Sequence, residues 1–181
     1  MLKLVEPTME YDQQIQAYRR EFLHPGMSMD GGGSLIHFET TKEWLAQLEQ
    51  YSHEETVPPD KVPASQYILI REEDNKMVGV IQIRHYLNEY LHKYGGHIGY
   101  SVAPSERRKG YASYMLAMAL DKCRQMGMDR VLITCRDDNE GSRRTILKNG
   151  GVYESTEYEA QQGRWLQRYW IDLRKEENIN C

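Results

Sequence analysis

The chain has 181 residues, three cysteines and a formal net charge of −4, with an isoelectric point near 5.9. That length suits one domain with a substantial core, and mild acidity with only local basic clusters argues against a general nucleic-acid binder. Cys123, Cys135 and Cys181 are widely spaced and odd in number, which gives neither a disulfide framework nor a Cys-x-x-Cys metal or redox motif. A reducing, cytoplasmic setting is the default expectation. The opening six residues are too short and too charged for a signal peptide, and no apolar run nears the roughly 18 residues of a membrane span, so no membrane partner is expected.

Leu2 to Val5 alternates as a short first strand, and Thr8 is placed to cap a helix running from about Met9 to Leu23. His24-Pro25-Gly26 ends it. Asp30-Gly31-Gly32-Gly33-Ser34 lacks the Gly-Lys-Ser/Thr ending of a phosphate-binding P-loop, which leaves it as a mobile connector or, second, a substrate lid. Thr40 or Thr41 opens a helix whose Trp44, Leu45, Leu48 and Tyr51 make one apolar face. A polar connector leads to the strand Gln66–Ile70, a turn over 72–76, and an antiparallel partner from Met77 to Ile83. After an insertion-like segment, Arg84 to Tyr94, a third strand from His97 to Val102 completes a meander.

Ala112, Met115, Leu116, Ala119, Leu120 and Cys123 repeat at three and four residues, which predicts a helix over 108–126 that buries this stripe and ends at Gly127. Val131 to Cys135 is the next strand, parallel to the one before the helix. Ser142 to Asn149 is the last helix, and strands near 152–158 and 165–173 finish the sheet. The expected layout is one domain over residues 1–174 and a polar tail over 175–181.

The most informative stretch is Arg107-Arg108-Lys109-Gly110-Tyr111-Ala112, where extended chain gives way to helix. A helix start leaves its first N–H groups without internal partners and carries the positive dipole end, so an anion placed there meets donors already aimed at it. Gly110 admits close approach of backbone and ligand, and two arginines and a lysine add charge-assisted donors for a pyrophosphate or ribose phosphate.

The string Arg107-x-x-Gly110-x-Ala112, set between His97–Val102 and Ser113–Leu120, resembles the acyl-CoA-binding segment of the GNAT N-acetyltransferase family. The downstream segment from Val131 through Asp138-Asn139 to Lys148-Asn149-Gly150 agrees with it. The resemblance implies an α/β (α+β) fold: a central mixed, mostly antiparallel twisted sheet of about seven strands, helices on both faces, and a splayed parallel strand pair. Acetyl-CoA is then the cosubstrate. Pantetheine amides would bond strand backbone near Ser101, Val102 and Ala103, the pyrophosphate would meet N–H groups from Arg108 to Ala112, with Arg107, Lys109, Tyr111 and Ser113 around it, and Asn139 and Ser142 would contact the same arm. Asn139 is equally a helix cap.

An acceptor amine has to lose a proton to attack a thioester, since a free alkyl ammonium has a pKa around 10.4. The family often supplies a carboxylate on the strand before the motif, and none lies between Gly95 and Val102. His97 is the titratable group there, either as base or as a hydrogen-bonded core histidine. Glu89 and His85 come next, with a solvated turn as their plainer role. Tyr100 is a candidate for substrate binding or acid catalysis, or a packed strand residue. The tyrosine that many family members carry seven residues after the asparagine is Ile146 here, and Tyr153 is only a weak substitute.

No metal is expected, because the six histidines are scattered without an i, i+4 pair. The expected activity is acetyl transfer to a primary amine of a small molecule or peptide, by direct attack in a ternary complex. A non-catalytic acyl-CoA-binding sensor is the alternative, and the assembly state, homodimer included, stays open.

Overall fold

A computed structural model describes residues 1–174; the expected polar tail lies outside the described residues. Seven strands form: β1 (Leu2–Val5), β2 (Ala64–Arg71), β3 (Lys76–Arg84), β4 (Ile98–Val102), β5 (Arg130–Arg136), β6 (Val152–Glu159) and β7 (Arg164–Asp172). Four α-helices accompany them: α1 (Asp12–Glu21), α2 (Thr41–Tyr51), α3 (Tyr111–Gln125) and α4 (Glu140–Lys148). Two apolar layers hold these together. Ile15, Tyr18 and Phe22 from the α1 region and Trp44 from α2 pack on Ile68, Ile70, Met77 and Val80. On the other face, the Met115, Leu116, Ala119, Leu120 and Cys123 stripe of α3 packs on Leu69, Val78, Ile81, Ile133 and Tyr169, and Ile146 of α4 joins it. Helices thus cover both sides of the strands, and each of the stripe residues named here is at most 3% exposed.

The strands do not form one continuous sheet. Ladders run β1-β2-β3-β4 and β5-β7-β6, and every one of them is antiparallel. The expected parallel pair, β4 and β5, survives as a neighbourhood without a ladder. At the foot of the two strands the His97 N–H donates to the Leu132 carbonyl at 2.7 Å, and the Leu132 N–H donates to His97 Nδ1 at 2.9 Å. Midway along β4 the Tyr100 hydroxyl meets Ser142 of α4, the helix that follows β5, at 2.8 Å. From the shared foot β4 leads to α3 and β5 to α4, so the strands run the same way, with no ladder between them above the foot. The gap becomes a cleft.

Two local expectations are corrected. Thr8 makes no side-chain cap, and the chain enters α1 through a 3-10 turn, Met9–Tyr11. Thr40 does cap α2, accepting the Glu43 N–H at 3.3 Å. The glycine run after Asp30 is not a loose connector: the Trp44 indole donates to the Gly32 and Gly33 carbonyls, both at 3.0 Å, and Gln66 donates to the Gly31 carbonyl at 2.8 Å. A Cβ on Gly31 would sit 2.0 Å from the Gly99 carbonyl oxygen, so this loop crosses β4 at a distance only glycine allows. A glycine run reads as flexible in sequence because close backbone approach is a long-range property that no local pattern carries.

Candidate functional site

The space between β4 and β5 is a cleft of about 1140 Å³ that runs from the start of α3 to the glycine loop and the segment before β4. Its upper end is built by backbone. Gly110 is the N-terminal cap of α3 with φ +84°, and no side chain caps the helix. A Cβ there would meet nothing within 4 Å, so the glycine serves the left-handed backbone and leaves open space above it. The N–H groups of Tyr111, Ala112 and Ser113 are the first-turn donors that a helix leaves without internal partners, and all three residues line the cleft. Arg107 and Arg108 flank them, Arg108 with φ +64°.

Lys109 is turned elsewhere. Its ammonium sits 2.8 Å from Glu106, a carboxylate that also takes Arg71 at 2.8 Å and Lys76 at 2.8 Å. Arg71 continues to the Tyr111 hydroxyl at 2.8 Å, so one nearly buried carboxylate ties the loop to the first residue of α3. These partners, Arg71 first, hold the Glu106 carboxyl well below the usual carboxylate range. Glu106 went unnoticed in the sequence because the three cations that explain it come from two other strands and a turn.

The β4 wall follows from ladder alternation. Ala103 donates to Val78 and Arg84 donates to His97, which turns the odd-numbered residues of this stretch toward β3. The backbone groups of Tyr100 and Val102 therefore face the cleft. Ser101 lines it, but its hydroxyl donates to the Asp30 carbonyl and its carbonyl accepts from Tyr18. Ala103 is fully buried with its N–H committed, so of the three residues expected to offer backbone to pantetheine, Val102 turns its backbone to the cleft, and Tyr100 does the same two residues earlier.

Across the cleft, Asn139 Oδ1 caps α4 by accepting the Ser142 N–H at 3.1 Å. Ser142 in turn meets the Tyr100 hydroxyl, and all three residues line the cleft. Burial pushes the Tyr100 phenol well above its ordinary value, so it stays protonated at neutral pH. Cys135 also faces the cleft, and burial pushes its thiol up to about 11, which makes it a poor nucleophile.

The remaining candidates are not brought together. His97 lies at the seam with Nδ1 committed to Leu132, outside the cleft lining, and burial pushes its pKa down to about 4. Glu89 is exposed and away from the cleft. Ile146 is fully buried in the core, and Tyr153, 53% exposed, bonds Thr156 on the outer strand. Residues that sequence reasoning missed also line the cleft: Asp30, Arg84, Tyr90, Tyr94 and Arg164. Tyr90 and Arg164 both engage Glu159, and Tyr90 precedes a π-helical turn, Leu91–Gly95.

A cosubstrate with a pyrophosphate and an amide-bearing arm fits this shape: unshared N–H donors and arginines at one end, an unpaired strand edge along the wall. A family model described as the acetyltransferase (GNAT) family matches residues 34–150. Among solved structures, ribosomal-protein-S5-alanine acetyltransferase from Vibrio fischeri aligns with a TM-score of 0.72 at 15% identity, covering 96% of this chain and 94% of that one. A mutant spermidine N-acetyltransferase from Vibrio cholerae aligns with a TM-score of 0.65 at 14% identity, covering 98% of each chain. No curated protein matches the chain. At such identities the structural likenesses speak for the fold alone, and it is the family match over more than half of the sequence that assigns the chain to the GNAT acetyltransferases.

Proposed function

We propose that this acetyltransferase moves an acetyl group from acetyl-CoA to the primary amine of a small molecule or peptide by direct attack within a ternary complex. The observation that carries the reading is the uncapped start of α3 opening into the same cleft as the unpaired edge of β4. The first-turn N–H groups and the Arg107 and Arg108 side chains hold the pyrophosphate. Tyr100 and Val102 bond the amides of the arm as a strand would. A backbone N–H on that edge is also a donor for the thioester carbonyl oxygen as negative charge develops on it.

Attack forms the C–N bond and breaks the C–S bond; the amine gives up a proton and the departing thiolate gains one. The Tyr100 hydroxyl, kept neutral by burial and directed by Ser142, donates a hydrogen bond to the departing sulfur, and the thiolate, whose thiol has a pKa of about 8.5, takes its proton from water. The amine's proton leaves to water in the open cleft. His97 holds the seam rather than the proton.

Incubation with acetyl-CoA and a panel of primary amines, with free thiol followed over time, tests the proposal. Saturable thiol release that requires the amine, with an N-acetylated product of the expected mass, is the predicted result. Acetyl-CoA binding without amine-dependent release across the panel would overturn it.

A further inference from the structure

Arg84 is the charged group at the lower end of the cleft with the least explanation. Its Nη1 donates to the Gly95 and Gly96 carbonyls at 3.2 and 3.1 Å, and among the described residues it makes no ion pair. Burial pushes its pKa down, and Tyr90 and Asp30 offset that only in part. Arg84 is half-buried on the cleft wall, and charges drawn out of water are ordinarily paired. The two carbonyls fix one edge of the guanidinium; Nη2 faces the Gly99 position, and a Cβ built on Gly99 would lie 3.8 Å from it. The residue lines the cleft together with Asp30.

Asp30 supplies the opposite charge. Its backbone carbonyl is held by Ser101 and the next residue is locked against Gly99, so its place on the cleft wall is fixed. It is near enough to act electrostatically on both Arg84 and Tyr100, yet does not pair with Arg84. Val102 and Ile98 are four residues apart on β4, roughly 13 Å at the usual rise per residue. Arg84, bonded to the residues just before Ile98, thus sits at that end, away from the start of α3, and Asp30, held by Ser101, stands between the two.

Resting on the acetyl-transfer reading above, we infer that the acceptor is zwitterionic: a small amine that also carries a carboxylate, with the carboxylate on Arg84 and the ammonium steered by Asp30. A guanidinium with one edge pinned offers its other edge as a planar fork matched to a carboxylate. A diamine would instead bring a second cation against Arg84.

The test uses linear ω-amino acids from glycine to 5-aminopentanoate, each beside its carboxamide and the diamine of matching length, with acetyl-CoA and the whole protein. The expected kcat/KM is at least tenfold higher for one or more amino acids than for the matched amide, and lower still for the diamine. Arg84→Met should collapse that acid-to-amide ratio toward one, and Arg84→Lys should lower it less. Asp30→Asn should depress acid and amide alike and keep the ratio. Each variant is first checked for stabilisation by acetyl-CoA, so that misfolding is recognised; the wild-type ratio decides the matter even if Arg84→Met fails to fold. A ratio at or below one, a ratio indifferent to Arg84, or turnover of none of the series while acetyl-CoA still binds overturns the inference. Failure of acetyl-CoA to bind the wild-type protein would instead remove the proposed function.

Discussion

Replacing Gly110 by valine separates backbone strain from ligand contact. Gly110 holds φ +84°, a region that costs an L-residue roughly 1–2 kcal/mol. Nothing in the protein lies within 4 Å of the new Cβ, so strain is the whole penalty in the free protein. For a chain of this size that lowers the melting temperature by roughly 2–8 °C. Gly127, at the other end of α3, is a matched control: φ +78°, again nothing within 4 Å, and no place in the cleft. Gly127→Val should lose about as much free-protein stability. The two variants should then diverge. Acetyl-CoA at a hundred times its Kd adds about 2.7 kcal/mol to the wild type, a rise of roughly 5–11 °C. Gly127→Val should keep that rise, and Gly110→Val should lose nearly all of it, since its side chain stands where the anion would meet the first-turn N–H groups. Differential scanning fluorimetry with and without acetyl-CoA reads both quantities. An undiminished rise in Gly110→Val, or equal loss in the two variants, refutes the cradle.

Three further outcomes follow from the site. Glu106→Gln leaves Arg71, Lys76 and Lys109 without their shared carboxylate and should cost about 3 kcal/mol by chemical denaturation. Because the folded Glu106 carboxyl is held below its unfolded value, its contribution is present above about pH 4.3 and lost as pH falls further; the variant should show a shallower acid dependence, and an unchanged one would count against the network. His97 is depressed to about 4 from 6.5, so the unfolded chain binds its proton first and stability should fall as pH drops through that window. His97→Ala should cost about 1–3 kcal/mol by orphaning the Leu132 N–H, while the pH dependence of kcat/KM keeps its midpoint; a displaced midpoint would return His97 to the base role. Tyr100→Phe should lower kcat by about a hundredfold with little change in KM for acetyl-CoA, and an unaffected kcat would exclude the phenol as a hydrogen-bond donor to the departing sulfur.

What could be seen in the sequence was what a single element determines. The three-and-four spacing of Met115, Leu116, Ala119, Leu120 and Cys123 located α3 because a helix face is a local periodicity, and all five are buried. The uncapped start of α3 was legible for the same reason: Gly110 and the basic residues before it lie within one short stretch. Asn139, open between cap and ligand contact, does cap α4 and also reaches the cleft. Arg84 and Asp30 stayed hidden, since their meaning depends on a turn after β3, a glycine crossing at Gly99 and a strand that arrives later in the chain. Ser101 and Ala103 were misjudged by parity: adjacent residues of a strand present their backbone to opposite neighbours, and only the register with β3 says which.

The single latch at His97 and Leu132 has a consequence for the unliganded protein. Above it, β4 and β5 are sheet edges in the middle of the molecule, and among the described residues no strand pairs with either facing edge. Such edges are templates for pairing with foreign strands. Acetyl-CoA lying along β4 would occupy one of them, so the cosubstrate doubles as a guard against intermolecular strand addition. Deuterium uptake at the Tyr100 and Val102 amides, fast in the free protein and slowed by acetyl-CoA, is the expected signature of that guard.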